Sequence, residues 1–447
     1  MRKLFGTDGI RGVAGEYPLD KKTVLAVGQA LGHHLPAGPR RIVIGQDTRE
    51  SSGWIAQTLA AGLHASGTEA ESAGVITTPG IAFLAHTKKF SAGVVISASH
   101  NPWQDNGIKV FGPDGYKLPD AIELEIEQEI FSLLAGGISS TTARSSSTSM
   151  LTADPQLHKS YVQWLARPRA GAGPLKVVVD CANGAASALA PEVFKLCGIS
   201  AEFTHNAPDG RNINENCGAL HPEVVAREVV SRKADLGICF DGDADRALFA
   251  GHEGTVINGD AVMLLLARQL KQRGELANDT VVATTMSNMG LEIALKELGI
   301  TMLRAPVGDK YVLDEMKKSG AVMGGEQSGH IILSREATTG DGLLTALRVL
   351  EIVTGSGKRV EELVGMKAFP QVIKNVRVRE KQPLNLIPAI SASIEEAERD
   401  LNGSGRVVVR YSGTEALARV MIEAESKEKM ARHADAIAQA IQKALGA

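Results

Sequence analysis

One supersecondary pattern occurs three times along the chain and constrains its fold more than any other feature. A run rich in β-branched residues leads into a short polar loop and then an amphipathic helical pattern, at 41–47, 176–184 and 280–288. Each copy is typical of the start of a βαβ unit. The copies lie somewhat over a hundred residues apart, which is the length of an ordinary domain. We therefore expect three related α/β domains, with mixed sheets flanked by helices.

A different pattern follows residue 370. Predicted strands at 372–378, 406–410 and 418–424 are combined with predicted helices at 383–401 and 427–445. Segregated helices of this kind are typical of a small α+β domain. We expect the active site in the central cleft of four domains, and their predicted bounds are 1–150, 151–252, 253–368 and 369–447.

Two polar stretches agree with this division. Residues 139–149 are almost entirely Ser and Thr with one Arg, and residues 167–174 are rich in Gly, Ala and Pro. Both compositions are typical of linkers. We interpret the Ser/Thr stretch as a solvated loop, with a phosphorylation target as the open alternative.

Composition excludes several classes of protein. The 447 residues carry a net charge of −3 and are 44% hydrophobic, so the chain lacks the positive field of a nucleic-acid or membrane-surface binder. The four cysteines lack the paired spacing of a zinc site, and we interpret them as reduced core residues. The amino terminus has no apolar segment typical of a secretory signal. We therefore expect a cytoplasmic protein that binds neither nucleic acid nor membrane.

The hexapeptide Asp241-Gly-Asp-Ala-Asp-Arg246 follows a predicted buried strand at 234–240. Alternate residues of an extended backbone point to one side, so three carboxylates would repel one another there unless a cation lay between them. Oxygen ligands favour a hard cation, Mg2+ before Ca2+ or Mn2+. An EF-hand would need a glycine where Arg246 stands. A solvated acidic turn is the alternative, but the position after a strand favours a metal site at Asp241, Asp243 and Asp245.

Ser99 and His100 lie in a second loop that follows a predicted strand, at 92–96. The Asn-Pro and Asn-Gly pairs after them favour a turn over a helix. The serine does not stand in G-x-S-x-G, so the nucleophile of an α/β-hydrolase is not indicated. Neighbouring side chains rarely face each other, and the Ser-His pair alone leaves its role open.

Four loops together carry a resemblance to a known family. They read S-A-S-H-N-P at 97–102, D-G-D-A-D-R at 241–246, G-G-E-Q-S-G-H at 324–330 and R-Y-S-G-T-E at 410–415. In this order, and one to a domain, they resemble the active-site loops of the α-D-phosphohexomutases. Within that family the chain is most similar to the bacterial members that act on glucosamine phosphates. The stretches that carry this similarity are G-T-D-G-I-R-G at 6–12, V-G-D-K-Y-V at 307–312 and T-G-D-G at 339–342.

The resemblance implies a role for each loop. Ser99 would carry a transferable phosphoryl group and would bind one Mg2+ together with the three aspartates. The general base would be Lys109, with its pKa lowered beside Mg2+ and Arg246, or His100. Arg11 and Arg246 would bind phosphate or pair with the aspartates. The sugar would contact Glu326, Ser328 and His330, and its distant phosphate would contact Arg410, Ser412, Gly413, Thr414 and Arg419.

The implied reaction interconverts glucosamine 6-phosphate and glucosamine 1-phosphate, through a phosphoserine and a 1,6-bisphosphate, and would supply UDP-N-acetylglucosamine synthesis. Glucosamine or glucose 1,6-bisphosphate would be the activator, and a homodimer is compatible with the resemblance. The nearest alternative is the same chemistry on glucose or mannose phosphates. A phosphatase with an aspartate nucleophile and a sugar-phosphate sensor without turnover are further alternatives.

Overall fold

The computed structural model describes residues 4–6, 8–35, 40–136, 150–167, 175–412 and 416–446. These residues divide into two compact units. The first unit contains the described residues up to Thr284 together with Ala305–Gly365, and the second contains Thr285–Arg304 and the described residues from Met366 onward. The predicted linker at 139–149 lies outside the described residues, as does nearly all of 167–174.

The amino-terminal sheet of the first unit is mixed. Its strands are β1 (Phe5–Gly6), β2 (Gly9–Val13), β3 (Arg41–Gln46), β4 (Glu69–Val75), β5 (Ala92–Ile96) and β6 (Asp105–Phe111). Its helices are α1 (Lys21–His33), α2 (Ser52–Ala65), α3 (Thr78–Thr87) and α4 (Asp120–Gly136). The strand order is β1-β2-β6-β5-β3-β4. β3 is parallel to β4 and β5, whereas β6 is antiparallel to β5 and β2.

The second sheet of this unit has the same mixed character. Its strands are β7 (Lys176–Asp180), β8 (Ser200–Thr204), β9 (Leu236–Phe240), β10 (Ala247–Gly251) and β11 (Val256–Ile257). Its helices are α5 (Pro155–Leu165), α6 (Ala186–Leu196) and α7 (Pro222–Arg232). The order is β11-β10-β9-β7-β8, with β7 parallel to β8 and β9, and β10 antiparallel to β9.

The third predicted domain is shared between the two units. α8 (Gly259–Gln272) and β12 (Thr280–Thr284) belong to the first unit, and the chain then passes into the second unit as α9 (Met289–Glu297) and most of β13 (Thr301–Ala305). It returns to the first unit as α10 (Asp309–Ser319), β14 (Met323–Gly325), β15 (Ile331–Leu333), α11 (Gly342–Ser356) and α12 (Val360–Val364). β14 is parallel to β12 and antiparallel to β15.

The carboxyl-terminal sheet of the second unit is antiparallel. Its strands and helices are β16 (Gln371–Arg377), α13 (Pro388–Leu401), β17 (Gly405–Tyr411), β18 (Leu417–Ala424) and α14 (Lys427–Leu445). The strand order is β16-β18-β17. The helix predicted from residue 383 begins at Pro388 instead, after a 3-10 turn at Leu384–Leu386. Proline favours the first position of a helix because its missing N–H is not needed there.

The predicted fold class is therefore confirmed: mixed sheets flanked by helices precede a smaller α+β domain. Every residue of β5 and β9, the strands before the serine and aspartate loops, is buried. Strands covered on both faces have continuous apolar runs, which is why both were recognisable in the sequence. Within the described ranges, none of the helices has the length and apolar character needed to cross a bilayer.

A buried ion pair ties the start of α9 to the sheet of the second unit. Glu423 is fully buried and accepts a hydrogen bond of 2.8 Å from Nη2 of Arg406. Arg406 also donates to the backbone oxygens of Thr285 and Ser287, at 2.9 Å each. Nδ2 of Asn288 donates to Glu423 over 3.2 Å. These contacts explain why residues 285–304 group with the carboxyl-terminal residues.

Replacing Arg406 with Leu should destabilise the second unit by about 3–5 kcal/mol, because Glu423 would then be buried without its cation. Hydrogen exchange followed by mass spectrometry should show faster exchange in α9 and β17. The double variant Arg406→Leu/Glu423→Leu should regain most of the protection, since neither charge remains. Arg399→Leu, on the exposed face of α13, is the matched control, and equal exchange in Arg399→Leu and Arg406→Leu would contradict the prediction.

Candidate active site

Ser99 has a backbone conformation that few residues other than glycine adopt. Its φ is +52°, in the left-handed region. The residue is 1% exposed, and its Oγ donates a hydrogen bond of 2.6 Å to Oδ2 of Asp241. Unfavourable backbone conformations of this kind concentrate at functional sites. The structure thus brings together the serine and the first aspartate of the two predicted loops.

Asp47 and Arg49, which were not predicted from the sequence, hold the Ser99 loop in place. Oγ of Ser97 donates 2.6 Å to the buried carboxylate of Asp47 and accepts 2.9 Å from the backbone N–H of Ser99. Arg49 forms a fully buried ion pair with Asp47. Its Nη2 donates to the backbone oxygens of Ser99, at 3.2 Å, and Asn101, at 2.5 Å. Asp47 is the last residue of the first copy of the repeated strand-loop-helix pattern. The polar loop at that position was the sequence feature that could have indicated its role.

The three aspartates of the metal-binding loop face one another. Ligand oxygens of Asp241, Asp243 and Asp245 all lie within 4.8 Å of one another and are buried, and the turn between them has Ala244 at a φ of +53°. Among the described residues, no group donates a hydrogen bond to Oδ1 of Asp243 or Oδ1 of Asp245. Buried carboxylate oxygens without a partner are costly, and a hard divalent cation would satisfy them. The residues present therefore fit the predicted cation.

Burial and mutual repulsion shift the pKa values of this cluster. Burial raises the pKa of Asp241 well above its usual value, and the charges of Asp245 and Asp243 raise it further. Burial and Asp243 also raise the pKa of Asp245. Burial opposes ionisation of Asp243 as well, but Lys109 holds the pKa of that carboxyl below its usual value. Three anions at this site thus need more positive charge than Lys109 alone supplies.

Lys109 lies beside two carboxylates. The buried ammonium lies 2.8 Å from Oδ2 of Asp243 and 3.1 Å from Oδ2 of Asp8. Burial lowers the pKa of Lys109, but the carboxylates of Asp243 and Asp8 outweigh burial and raise that pKa above its usual value. The lowered pKa was predicted for Lys109 beside Mg2+ and stays a prediction, but the sequence did not show that two carboxylates flank the amine. In this geometry Lys109 is a fixed cation.

Asp8 belongs to a chain of half-buried charges that was not predicted. Nζ of Lys117 pairs with Asp8 and lies 2.6 Å from Oδ2 of Asp309. Oδ2 of Asp309 is in turn 4.0 Å from Nε2 of His330. Charges of alternating sign therefore connect Lys109 to the predicted sugar-binding loop. Asp8 lies in G-T-D-G-I-R-G and Asp309 in V-G-D-K-Y-V, two of the stretches that carried the family resemblance. Their place in these stretches was the sequence feature that could have indicated them.

His100 lies beside the serine hydroxyl. Its Nδ1 is 3.3 Å from Oγ of Ser99, although neighbouring side chains rarely meet. Burial, together with the positive charges of Arg246 and Arg11, lowers the pKa of His100 to about 4. The ring is therefore neutral at pH 7 and can accept a proton.

Arg11 and Arg246 both lie at this site. Arg11 pairs with Asp8, and its Nη1 donates to Oδ1 of Asn101 over 3.4 Å. Nε of Arg246 lies 3.8 Å from Oδ1 of Asp245. Nε is buried in both arginines and finds no hydrogen-bond acceptor within the described part of the chain. Each guanidinium thus keeps a donor that an anionic ligand could use.

The predicted sugar-binding loop lies between β14 and β15. The backbone N–H of Gly308 donates 3.0 Å to Oε1 of Glu326, and Oγ of Ser328 lies 3.5 Å from Oε2. His330 is 3% exposed, and neither ring nitrogen has a hydrogen-bond partner among the residues described. A β-bridge between Arg246 and His330 joins this loop to the metal-binding loop. The structure thus brings the three predicted loops of the first unit together.

The predicted phosphate-binding loop belongs to the second unit. Arg410 and Arg419 stand directly opposite each other on β17 and β18. Burial lowers the pKa of Arg410, and the charge of Arg419 lowers it further. Like charges in this arrangement weaken a sheet, and an anion between them would remove the repulsion. The pair could therefore accept an anionic ligand.

Ser412 follows Arg410 at the end of β17. It is 4% exposed, its N–H donates 2.8 Å to the backbone oxygen of Leu417, and its own backbone oxygen accepts 2.7 Å from Nζ of Lys381. Lys381 was not predicted. Gly413 and Thr414 lie outside the described residues. A central cleft shared by all four loops stays a prediction.

Four family models match the chain in sequence order. They are described as phosphoglucomutase/phosphomannomutase alpha/beta/alpha domain I at residues 2–135, domain II at 159–254, domain III at 258–369 and the C-terminal domain at 373–440. The chain is also similar to curated relatives named phosphoglucosamine mutase. The relative from Koribacter versatilis is 60% identical over 454 residues, which cover 100% of this chain and 98% of the relative. The relative from Solibacter usitatus is 50% identical over 449 residues, which cover 100% and 99%.

Solved structures share the fold. A phosphoglucomutase/phosphomannomutase family protein from Burkholderia thailandensis has a TM-score of 0.79 and 24% identity, with 100% of both chains covered. Aspergillus fumigatus N-acetylphosphoglucosamine mutase, solved in complex with GlcNAc-6P and magnesium, has a TM-score of 0.66 and 19% identity, with 99% of this chain and 96% of that chain covered. At these identities the structural likeness supports the architecture alone.

Thr78→Val should weaken Mn2+ binding about 10- to 100-fold, as expected when a ligand loses its supporting hydrogen bond. Oγ1 of Thr78 donates 2.6 Å to Oδ2 of Asp243 and so fixes the orientation of that carboxylate. Free Mn2+ can be counted by electron paramagnetic resonance. Thr58→Val is the matched control, since the Thr58 hydroxyl donates within α2 to the backbone oxygen of Trp54. Equal Mn2+ affinity in Thr78→Val and Thr58→Val would contradict the prediction.

In the absence of divalent cations, the His100 ring should titrate at about pH 4, against about 6.5 in an unfolded chain. Between these values the unfolded chain binds the extra proton, so His100 should reduce the stability of the fold as pH falls from about 6.5 to 4. His100→Asn should remove this part of the loss. Nuclear magnetic resonance of the imidazole carbons measures the titration, and a midpoint near 6.5 in the folded chain would refute the expectation.

Proposed function

Because the chain belongs to the phosphoglucosamine mutase family of α-D-phosphohexomutases and is thus an isomerase, we propose that Ser99 carries the phosphoryl group that moves between positions 6 and 1 of glucosamine phosphate. The observation that carries this proposal is the hydrogen bond of 2.6 Å from Oγ of Ser99 to Asp241, within a buried cluster of three carboxylates. A hydroxyl beside a cation-binding cluster is suited to phosphoryl transfer, because that reaction depends on positioning and charge neutralisation.

The cycle begins with phosphorylated Ser99. The bond between phosphorus and Oγ of Ser99 breaks, and a bond forms between phosphorus and a hydroxyl oxygen of the sugar phosphate. The hydroxyl proton passes through a base to Oγ of Ser99, and a 1,6-bisphosphate results. The other phosphoryl group of the bisphosphate then moves to Oγ of Ser99. The Ser99 proton passes back through the base to the sugar oxygen that this phosphoryl group has left. Ser99 ends the cycle phosphorylated, so the reaction is a net isomerisation.

Asp241, Asp243, Asp245 and Ser99 would hold Mg2+. When bound, Mg2+ would supply Lewis acidity and neutralise charge that develops on the transferred group. Thr78 and Lys109 both contact Oδ2 of Asp243, at 2.6 Å and 2.8 Å, and so leave its Oδ1 for the cation.

His100 is better placed than Lys109 to accept the proton. Its Nδ1 lies 3.3 Å from the Ser99 hydroxyl, and a pKa of about 4 leaves it unprotonated at pH 7. A phosphoryl dianion on Ser99 would favour the charged imidazolium and would raise that pKa during the reaction. Lys109, whose pKa is raised by Asp243 and Asp8, would keep its proton. We therefore assign His100 as the base and Lys109 as the cation that balances the carboxylates.

The remaining predicted residues would bind substrate. Arg11 and Arg246 each keep an unused buried Nε donor, which suits them to the reacting phosphate. The third loop would bind sugar hydroxyls through Glu326, Ser328 and His330. The fourth loop would bind the distant phosphate through Arg410, Ser412, Gly413, Thr414 and Arg419. Glucosamine or glucose 1,6-bisphosphate would act as activator because it can phosphorylate Ser99 directly.

Ser99→Ala should lower mutase activity by at least about 1,000-fold, because the residue that accepts the phosphoryl group is removed. Peptide mapping by mass spectrometry should find phosphate on Ser99 in the unaltered chain after incubation with glucose 1,6-bisphosphate. Ser160→Ala is the control and should keep full activity, since the Ser160 hydroxyl donates within α5 to the backbone oxygen of Gln156. Phosphate on Asp241 instead of Ser99 would favour a phosphatase and would sink the proposal.

Substrate preference is tested by comparing kcat/KM for the 1-phosphates of glucosamine, glucose and mannose. We expect the highest value for glucosamine 1-phosphate, because relatives similar over the whole chain are named for that sugar. A clear preference for mannose 1-phosphate would leave the phosphoserine chemistry intact but overturn the substrate assignment.

A further inference from the structure

Three of the four cysteines lie around Asp180, at the carboxyl end of β7. Cys181 follows Asp180 directly, and Cys239 is its neighbour across the sheet on β9. Cys217 reaches the same place from the segment before α7. All three cysteines are buried, whereas Cys197 is half-buried at the end of α6. This arrangement is set by the fold, since the sequence shows no paired spacing.

Asp180, His205 and Cys217 each direct a metal-binding atom to one point. One carboxylate oxygen, one ring nitrogen and the sulfur all lie within 4.8 Å of one another. Nδ1 of His205 is 3.2 Å from Oδ2 of Asp180. Hydrogen bonding to this carboxylate raises the pKa of His205, so the protonated ring pairs with Asp180. A divalent cation would take the place of that proton between the carboxylate and the imidazole.

The backbone around this cluster is constrained. His205 has a φ of +45°, in the left-handed region. Gly218 also has a positive φ, and a Cβ there would lie 2.5 Å from the backbone oxygen of Phe240. The carboxylate of Asp180 accepts hydrogen bonds from the N–H groups of Ala182, at 2.8 Å, and Gly218, at 3.0 Å. Such supporting bonds orient a metal ligand before the metal arrives.

We propose that Asp180, His205 and Cys217 form a second metal site, distinct from the aspartate cluster of the active site and selective for Zn2+. One oxygen, one nitrogen and one sulfur are the donor types that Zn2+ accepts, whereas Mg2+ prefers oxygen alone. A water molecule would complete the tetrahedron. His205 is one-third exposed and provides the entry path.

The site would stabilise the loop that supports Ser99. Asn214, three residues before Cys217, donates from Nδ2 to the backbone oxygen of Ser99 over 2.9 Å. Its own N–H donates 2.9 Å to the backbone oxygen of Ala182, beside Cys181. A cation that fixes Cys217 would therefore restrain a segment in direct contact with the phosphoserine loop. Its role is structural, and it takes no part in phosphoryl transfer.

Co2+ titration with Mg2+ in excess tests the proposal on the full chain. Cobalt bound to a thiolate gives a charge-transfer band in the near ultraviolet, and the all-oxygen aspartate cluster cannot produce it. We expect this band in the unaltered chain and in Cys197→Ser, the matched control, and we expect its loss in Cys217→Ser. No band in the unaltered chain, or a band that persists in Cys217→Ser, overturns the proposal.

Zn2+ affinity provides a second measurement that does not depend on removing a buried group. His205→Asn alters a partly exposed side chain and should weaken Zn2+ binding at least about tenfold, measured by competition with a chromogenic chelator. It should also abolish any rise in Tm on addition of Zn2+. Unchanged Zn2+ affinity in His205→Asn would overturn the site even if Cys217→Ser failed to fold.

Discussion

The burial of three carboxylates in one short turn is the constraint on which the rest of the first unit depends. Asp241, Asp243 and Asp245 are stable there only because neighbouring elements supply opposite charge and hydrogen bonds. Lys109 arrives from β6 and Thr78 from the start of α3. Even so, two carboxylate oxygens keep no hydrogen-bond partner within the described ranges. A buried site that is incomplete in this way is able to bind a metal cation.

The second unit presents its charges differently. Its buried pair, Arg406 with Glu423, is satisfied internally and holds the fold. Arg410 and Arg419, in contrast, face each other across the sheet with like charge. The first pair therefore stabilises the fold, whereas the second pair is the one proposed above to bind the distant phosphate of the sugar.

The sequence was sufficient to predict features that depend on residues adjacent in the chain. The buried strands before Ser99 and Asp241 were predicted because continuous apolar runs mark them, and the loops after them because their polar residues are adjacent in the chain. Features that depend on distant residues were not predictable from one sequence. The pairing of Lys109 with Asp8, which raises the pKa of the amine, was not predicted because Asp8 is about a hundred residues away. Likewise, no local pattern shows that residues 285–304 pack with the carboxyl-terminal sheet.

The left-handed backbone at Ser99 limits which hydroxyl amino acid can serve at this position. Threonine has a hydroxyl that can also carry a phosphoryl group, and by reactivity alone it would be an acceptable replacement. Its branched Cβ, however, disfavours a φ of +52° far more than the unbranched Cβ of serine does. A Ser-to-Thr exchange would therefore shift the backbone that Arg49 and Ser97 hold. Steric fit, in addition to chemical reactivity, thus restricts evolutionary variation at this position.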